Sequence, residues 1–99
     1  MSCNRTQICG RLETRGALRF SPAGVALVEF TIAHRSEQNE ANAWRKVSCV
    51  VKAIAAGELA QNIEKLPNRA QVSVSGFLTQ AGRDNSALVL HVQNFELIE

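Results

Sequence analysis

Aspartate occurs once in the 99 residues, at Asp84, and histidine twice, at His34 and His91. A catalytic carboxylate pair needs two acids held close together. Glu96 and Glu99 lie near the C-terminus, where chains are least ordered. Either histidine could serve as a general base, but neither has a nucleophile partner in the pattern. There is no GxGxxG, P-loop, HExxH, GxSxG or EF-hand spacing. No enzyme is expected, and no cofactor or small-molecule substrate. Cysteine is scarce and odd in number: Cys3, Cys9 and Cys49, without a CxxC. The two histidines are too far apart to complete a local zinc motif. Cys9 and Cys49 read as small core or half-buried strand residues, reduced in a cytosolic setting. No charged region followed by an apolar run opens the chain, so no signal peptide is expected. No apolar run approaches the roughly 18 residues of a membrane helix. These absences point to the cytoplasm and away from membranes. Two prolines and six glycines exclude collagen-like or proline-rich linker character. Charge is also sparse in balance: 11 basic residues against 9 acidic leave +2, which excludes a basic tail.

What is present is an ordinary globular composition, 45% hydrophobic and 20% charged. Ninety-nine residues make one domain, 1–99, small enough to favour a closed fold or an oligomer. Period-two alternation dominates. Ile8, Gly10 and Leu12 share one face of a first strand. Ser21-Pro22-Ala23-Gly24 is a turn, with Pro22 preset and Gly24 free to take a positive φ. Ala26, Val28, Phe30, Ile32 and His34 form one face of a strand over residues 25–35. Residues 36–43 are polar and lack β-branched side chains, so they read as an exposed loop. Alternation resumes from Trp44 to Ala53. Ile54, Leu59, Ile63 and Leu66 approach helical spacing, which predicts a short helix over about residues 57–65, stopped by Pro67-Asn68. Strands follow over residues 70–80 and 87–98, joined by a polar connection at 81–86. Gly76 inside the first of these marks a bulge, a bend or a close backbone approach.

The order β-β-β-α-β-β fits an all-β fold: a five-stranded Greek-key barrel of the oligonucleotide-binding (OB) type, with the helix between the third and fourth strands. Closure removes the exposed edges of five open strands. An open five-stranded α+β sheet with one helix on a face is the alternative.

Charge is unevenly placed. The first 36 residues hold five arginines against two glutamates, a net of +3, and the remainder is −1. Trp44-Arg45-Lys46 sets an indole beside two cations, the combination that sequence-tolerant single-strand binding uses. The same trio also suits packing at a barrel mouth or subunit contact. Phe30 belongs to the core. Phe77 falls opposite the Val72, Val74 and Leu78 face, available for stacking or for a dimer contact. His34 and His91 are open to a structural role or a ligand contact. Val25, Leu27, Val50, Val89 and Phe95 add apolar area that a two-fold dimer would cover.

Several short elements now converge: Asn4-Arg5, Gly10, Ser21-Pro22-Ala23-Gly24, Phe30, His34-Arg35-Ser36, Gln38, Glu40-Ala41, Arg45, Cys49, Gly57, Val74, Gly76-Phe77, Leu88-Val89-Leu90-His91 and Glu96-Leu97-Ile98. In this order, and over nearly the whole chain, they resemble the PriB family of bacterial replication restart, related to bacterial single-stranded DNA-binding proteins. The resemblance implies an OB-fold homodimer that binds single-stranded DNA without base specificity. It also implies partnership with the primosomal helicase and other primosome proteins, and no catalysis. Arg19 and Arg35 match basic DNA-contacting positions of the family. The principal stacking Trp of well-known members falls at Ser48 here, and their preceding aromatic at Ala43. Trp44 stands four residues before Ser48 and on the same strand face. The loop between the last two strands, lysine-rich in those members, is shorter here and holds only Arg83, next to Asp84. The resemblance therefore implies weaker single-strand binding, or a path shifted toward Arg11, Arg19, Arg35, Trp44, Arg45, Lys46 and Lys52. Two functions follow: a single-stranded DNA-binding accessory of the primosome, or a protein-interaction module whose DNA binding is incidental. A cold-shock-like RNA-binding domain is less well supported, because its aromatic-rich surface strands are not evident.

Overall fold

A computed structural model describes residues 2–98 of the chain; Glu99, counted above among the acids, lies outside them. The strands are β1 (Thr6–Arg15), β2 (Arg19–Phe20), β3 (Ala26–Glu40), β4 (Ala43–Ala56), β5 (Gln71–Gly82) and β6 (Asn85–Leu97), with one helix, α1 (Glu58–Glu64), after β4. Five strands are long, and β2 is a two-residue strip on the edge of β3. The order β1-β5-β6-β4-β3-β2, with a further β1–β3 pairing, closes the sheet into a barrel. The β4–β6 contact is parallel and the others are antiparallel. This is the expected five-stranded OB-type barrel, with the helix between its third and fourth long strands.

The alternating faces become the inside of the barrel. Ala26, Val28, Phe30 and Ile32 of β3 are buried against Leu12, Ala53, Ala55, Val72, Val74, Leu90 and Val92. Gly24 in the Ser-Pro-Ala-Gly turn has φ 84°, as that turn requires. Helix α1 closes one end of the barrel by burying Ala60 and Ile63. Its C-terminal end is tied to the sheet: Arg15 Nη1 donates to the carbonyls of Ile63 at 2.9 Å and, just past the helix, Leu66 at 2.7 Å, and Nη2 to Asn68 Oδ1 at 2.9 Å.

Gly76 is required by contact rather than by dihedral angle. A Cβ there would lie 1.8 Å from the carbonyl oxygen of His91, and the β5–β6 register shifts between Ser75 and Gly76. The shift leaves Gln93 without a partner and reverses the parity of β6. Leu90 and Val92 therefore point inward before it, and Phe95, opposite Val74, packs on the core after it.

Two expectations are corrected. Residues 36–43 are not a loop. The ladder between β3 and β4 runs unbroken from Leu27↔Ala56 to Glu40↔Ala43, and only Ala41 and Asn42 turn the chain. Their φ values of 54° and 64° are those of a tight hairpin turn. The segment reads as loop because both of its faces meet water, so it has no hydrophobic alternation to betray the strand. Cys9 and Cys49 are exposed rather than half-buried. Cys49 has the inward parity of β4, but it lies where the hairpin has already left the barrel.

Candidate nucleic-acid interface

Beyond the Arg11↔Ala33 pair, β1 leaves β3, and β4 meets β6 only at Ala53 and Ile54. Residues 34–49 therefore form a two-stranded ribbon projecting from the barrel. Strand alternation sorts its side chains. One face carries Arg35, Glu37 and Asn39 on β3, opposite Ser48, Lys46 and Trp44 on β4. Val50 and Lys52 continue this face onto the barrel, facing Ala33 and Thr31. The other face carries His34, Ser36, Gln38 and Arg45.

This sorting divides the Trp44-Arg45-Lys46 trio. Trp44, 74% exposed, and Lys46 share the first face. Arg45 lies on the reverse and makes an ion pair with Glu40. The platform is thus Trp44, Lys46, Ser48 and Lys52 along β4, with Arg35 beside Ser48, and not three consecutive residues.

Ion pairing separates the candidate cations further. Arg11 holds Glu13 at 2.8 Å, and Arg19 holds Glu29 at 3.1 Å. These pairs are largely exposed, worth about 0–1 kcal/mol each, and a phosphate can compete for either arginine. Among the described residues, Arg35, Lys46, Lys52 and Arg83 have no carboxylate within ion-pair distance. Glu37 sits opposite Lys46 in the ladder and lowers the local positive charge. Arg83 is at the tip of the β5–β6 hairpin, two residues past Ala81, which lines the same groove as Lys52. Arg15 belongs to the fold, since its guanidinium is occupied by the helix end.

Two grooves open on this side. The first, of about 460 Å³, lies where β1 diverges from β3 and is lined by Cys9, Arg11, Arg35, Ser48 and Val50. The second, of about 570 Å³, lies across β3, β4 and β6 and is lined by Arg19, Thr31, Lys52, Val89 and His91. The structure thus brings Arg11, Arg35, Trp44, Lys46 and Lys52 to one face, places Arg19 in the second groove and Arg83 on the hairpin tip beyond it, and turns Arg45 away. Sequence reasoning gave Thr31 and Val89 no place in the site. Nothing in a β-branched strand residue distinguishes a groove wall from any other outward position.

Comparison with known proteins agrees with this fold. A family model described as another single-strand binding protein family matches residues 4–94. The replication restart protein PriB of Nitrosomonas europaea is 34% identical over 98% of this chain and 92% of its own length. The PriB of Photorhabdus laumondii is 34% identical over all of this chain and 97% of its own. The solved structure of PriB from Ralstonia solanacearum superposes with a TM-score of 0.88 at 28% identity, covering 99% of this chain and all of that one. A single-stranded DNA-binding protein from Thermus aquaticus shares the fold, with a TM-score of 0.78 at 19% identity over 98% of this chain and 51% of that one. The family match over residues 4–94 and the similarity to PriB proteins along nearly the whole chain show that the chain belongs to the PriB family of replication restart proteins.

Proposed function

We propose that this protein binds single-stranded DNA along the outer face of β3 and β4, as a non-enzymatic accessory acting with the primosomal helicase in replication restart. The observation that carries this reading is the alignment of Trp44, Lys46, Ser48, Arg35 and Lys52 on one solvent-facing stripe. Such a stripe offers a base-stacking ring and phosphate-neutralising cations in one line, which binding without base specificity needs. Arg11, Arg19 and Arg83 flank the stripe, and Arg45 steadies the hairpin from behind. Three of the eight candidate residues are already held by glutamates. Affinity per subunit is therefore low, and a homodimer that joins two stripes raises it.

The test is fluorescence polarization with a labelled single strand of 30–40 nucleotides across a salt series. Saturable binding is expected, with log affinity falling linearly with log salt. Replacing Arg35, Lys46 and Lys52 together by Ala weakens binding and flattens the slope by about 0.7 per contact removed. Equal binding by this variant removes the proposal. Trp44 is the only tryptophan, so its quenching during titration reports the stacking directly.

A second reading has its own observation. The glutamate-paired arginines and the lysine-poor β5–β6 turn suit a protein-interaction module on the same barrel. Retention of the helicase in a pull-down by the charge-reduced variant, with restart activity intact, favours that module.

A further inference from the structure

The two histidines use their ring nitrogens differently. His34 is committed to the fold. Its Nδ1 donates to the Cys9 carbonyl at 2.7 Å, bridging the gap where β1 leaves β3, and its Nε2 pairs with Ser36 Oγ at 2.8 Å. His91 has no such ties. Among the described residues, no side-chain polar atom is buried without a partner, so the nitrogens of His91, which make no side-chain hydrogen bond, face solvent. Its ring is nevertheless held in place. Phe77, its register partner on β5, stacks on one face with centroids 5.1 Å apart and planes inclined by 17°.

The ring lines the groove of about 570 Å³ that also contains Lys52, Thr31 and Val89. The charged groups of that groove are Lys52, which has no carboxylate partner among the described residues, and the Arg19–Glu29 pair. An aromatic ring fixed from behind loses little freedom when a second ring covers it. A nucleobase offers such a ring, because every base has a π-face, while the imidazole nitrogens, which lie in the ring plane, point away from a stacked base. Lys52 stands in the same groove to meet the adjoining phosphate.

We propose that His91, buttressed by Phe77, is a second base-stacking position of this protein, distinct from Trp44. Lys52 and Trp44 are eight residues apart on β4, which is about 27 Å along a strand. A bound strand would then run from the hairpin tip down β4 to the β6 groove, with Arg35, Lys46 and Lys52 along its backbone. This inference rests on the single-strand reading above, and its test separates the two.

The probe is the same labelled single strand, titrated into the full-length protein and its His91→Ala, His91→Gln and His91→Phe variants. Thermal melts confirm that each variant is folded. His91→Ala and His91→Gln are expected to bind at least about fivefold more weakly, the effect of losing one stacked base. His91→Phe keeps the π-face and is expected to stay within about twofold of the parent, well below that loss. If His91→Ala and His91→Gln bind like the parent, the inference is wrong and the single-strand reading stands. If His91→Phe is as weak as His91→Ala, stacking is not the interaction and the inference also fails. If the Ala variant changes the sedimentation coefficient without DNA, the groove is a contact with a second copy of the chain, and the base-stacking assignment is overturned. If the parent itself does not bind, the proposed function falls first.

Discussion

Arg15 and Lys52 show why a count of cations does not locate a binding path. Both stand on barrel strands and carry one charge. Arg15 is half-buried and spends its donors on the carbonyls of Ile63 and Leu66 and the amide oxygen of Asn68. Lys52 is exposed and unpaired among the described residues. Replacing Arg15 by Ala should lower stability by about 1–3 kcal/mol, because it removes the charged hydrogen bonds that tie the helix end to the sheet. Urea denaturation measures that loss, and single-strand affinity of the folded variant should be unchanged. The opposite pattern, intact stability with weakened binding, is expected for Lys52. The surplus of +3 in the first 36 residues therefore overstates what reaches the surface of the site. One of its five arginines holds the helix, and two others hold glutamates.

At the scale of the element, the β3–β4 ribbon is the most consequential part of the molecule and the least stable. Residues 34–49 pair only with each other, and a two-stranded ribbon is marginal in water without a third strand or a packed face. The turn adds a further cost. A tight two-residue hairpin with both φ values positive favours Asn-Gly, whereas this chain supplies Ala41-Asn42. An L-residue in that conformation costs about 1–2 kcal/mol unless its side chain compensates. Changing Ala41 to Asn and Asn42 to Gly together should stabilise the ribbon by about 1 kcal/mol. Amide hydrogen exchange should then slow for residues 34–49 while the core strands around Val28 and Ile32 keep their rates. Unchanged exchange in the ribbon would show that the turn does not limit its opening.

At the scale of the whole molecule, the ribbon makes the chain larger than its mass requires. A compact monomer of 10.8 kDa exposes about 5,500 Å², whereas this chain exposes 7112 Å². Its radius of gyration is 14.4 Å, against about 13 Å for a compact domain of this length. The excess includes apolar surface: Phe20, Val25, Val50, Leu88, Leu97 and Ile98 are all exposed. Phe20 is 62% exposed within one chain. A second copy would cover part of this area, in keeping with the proposed homodimer. Sedimentation equilibrium should give twice the chain mass at micromolar concentration, and a single-chain mass there would refute the dimer. No helix among the described residues is long and apolar enough to cross a membrane.

The barrel was legible in the amino-acid order because each of its strands buries one face. Ala26, Val28, Phe30 and Ile32 announce their strand through period two, and Leu59 and Ile63 announce the helix that Pro67 ends. Gly76 announced its close approach because a glycine inside a β-branched strand has few other uses. Family membership was legible because the shared motifs keep their order along the chain, combining turn and core positions such as Gly24, Phe30 and Val74 with exposed ones such as Arg35 and Arg45. The interface was legible only in part. Alternation follows from sequence, so Trp44, Ser48 and Lys52 share a face by counting. Pairing does not: that residues 36–40 are strand, that Arg35 stands beside Ser48, and that Arg19 and Arg45 are engaged by glutamates depends on which strands meet. A polar strand with water on both faces has no burial pattern to encode it, and an ion pair between neighbouring strands has no spacing in the chain. Sequence determined the core and the family; tertiary structure decided which charges and rings the surface presents together, because only closure of the barrel brings β1, β4 and β6 to one side.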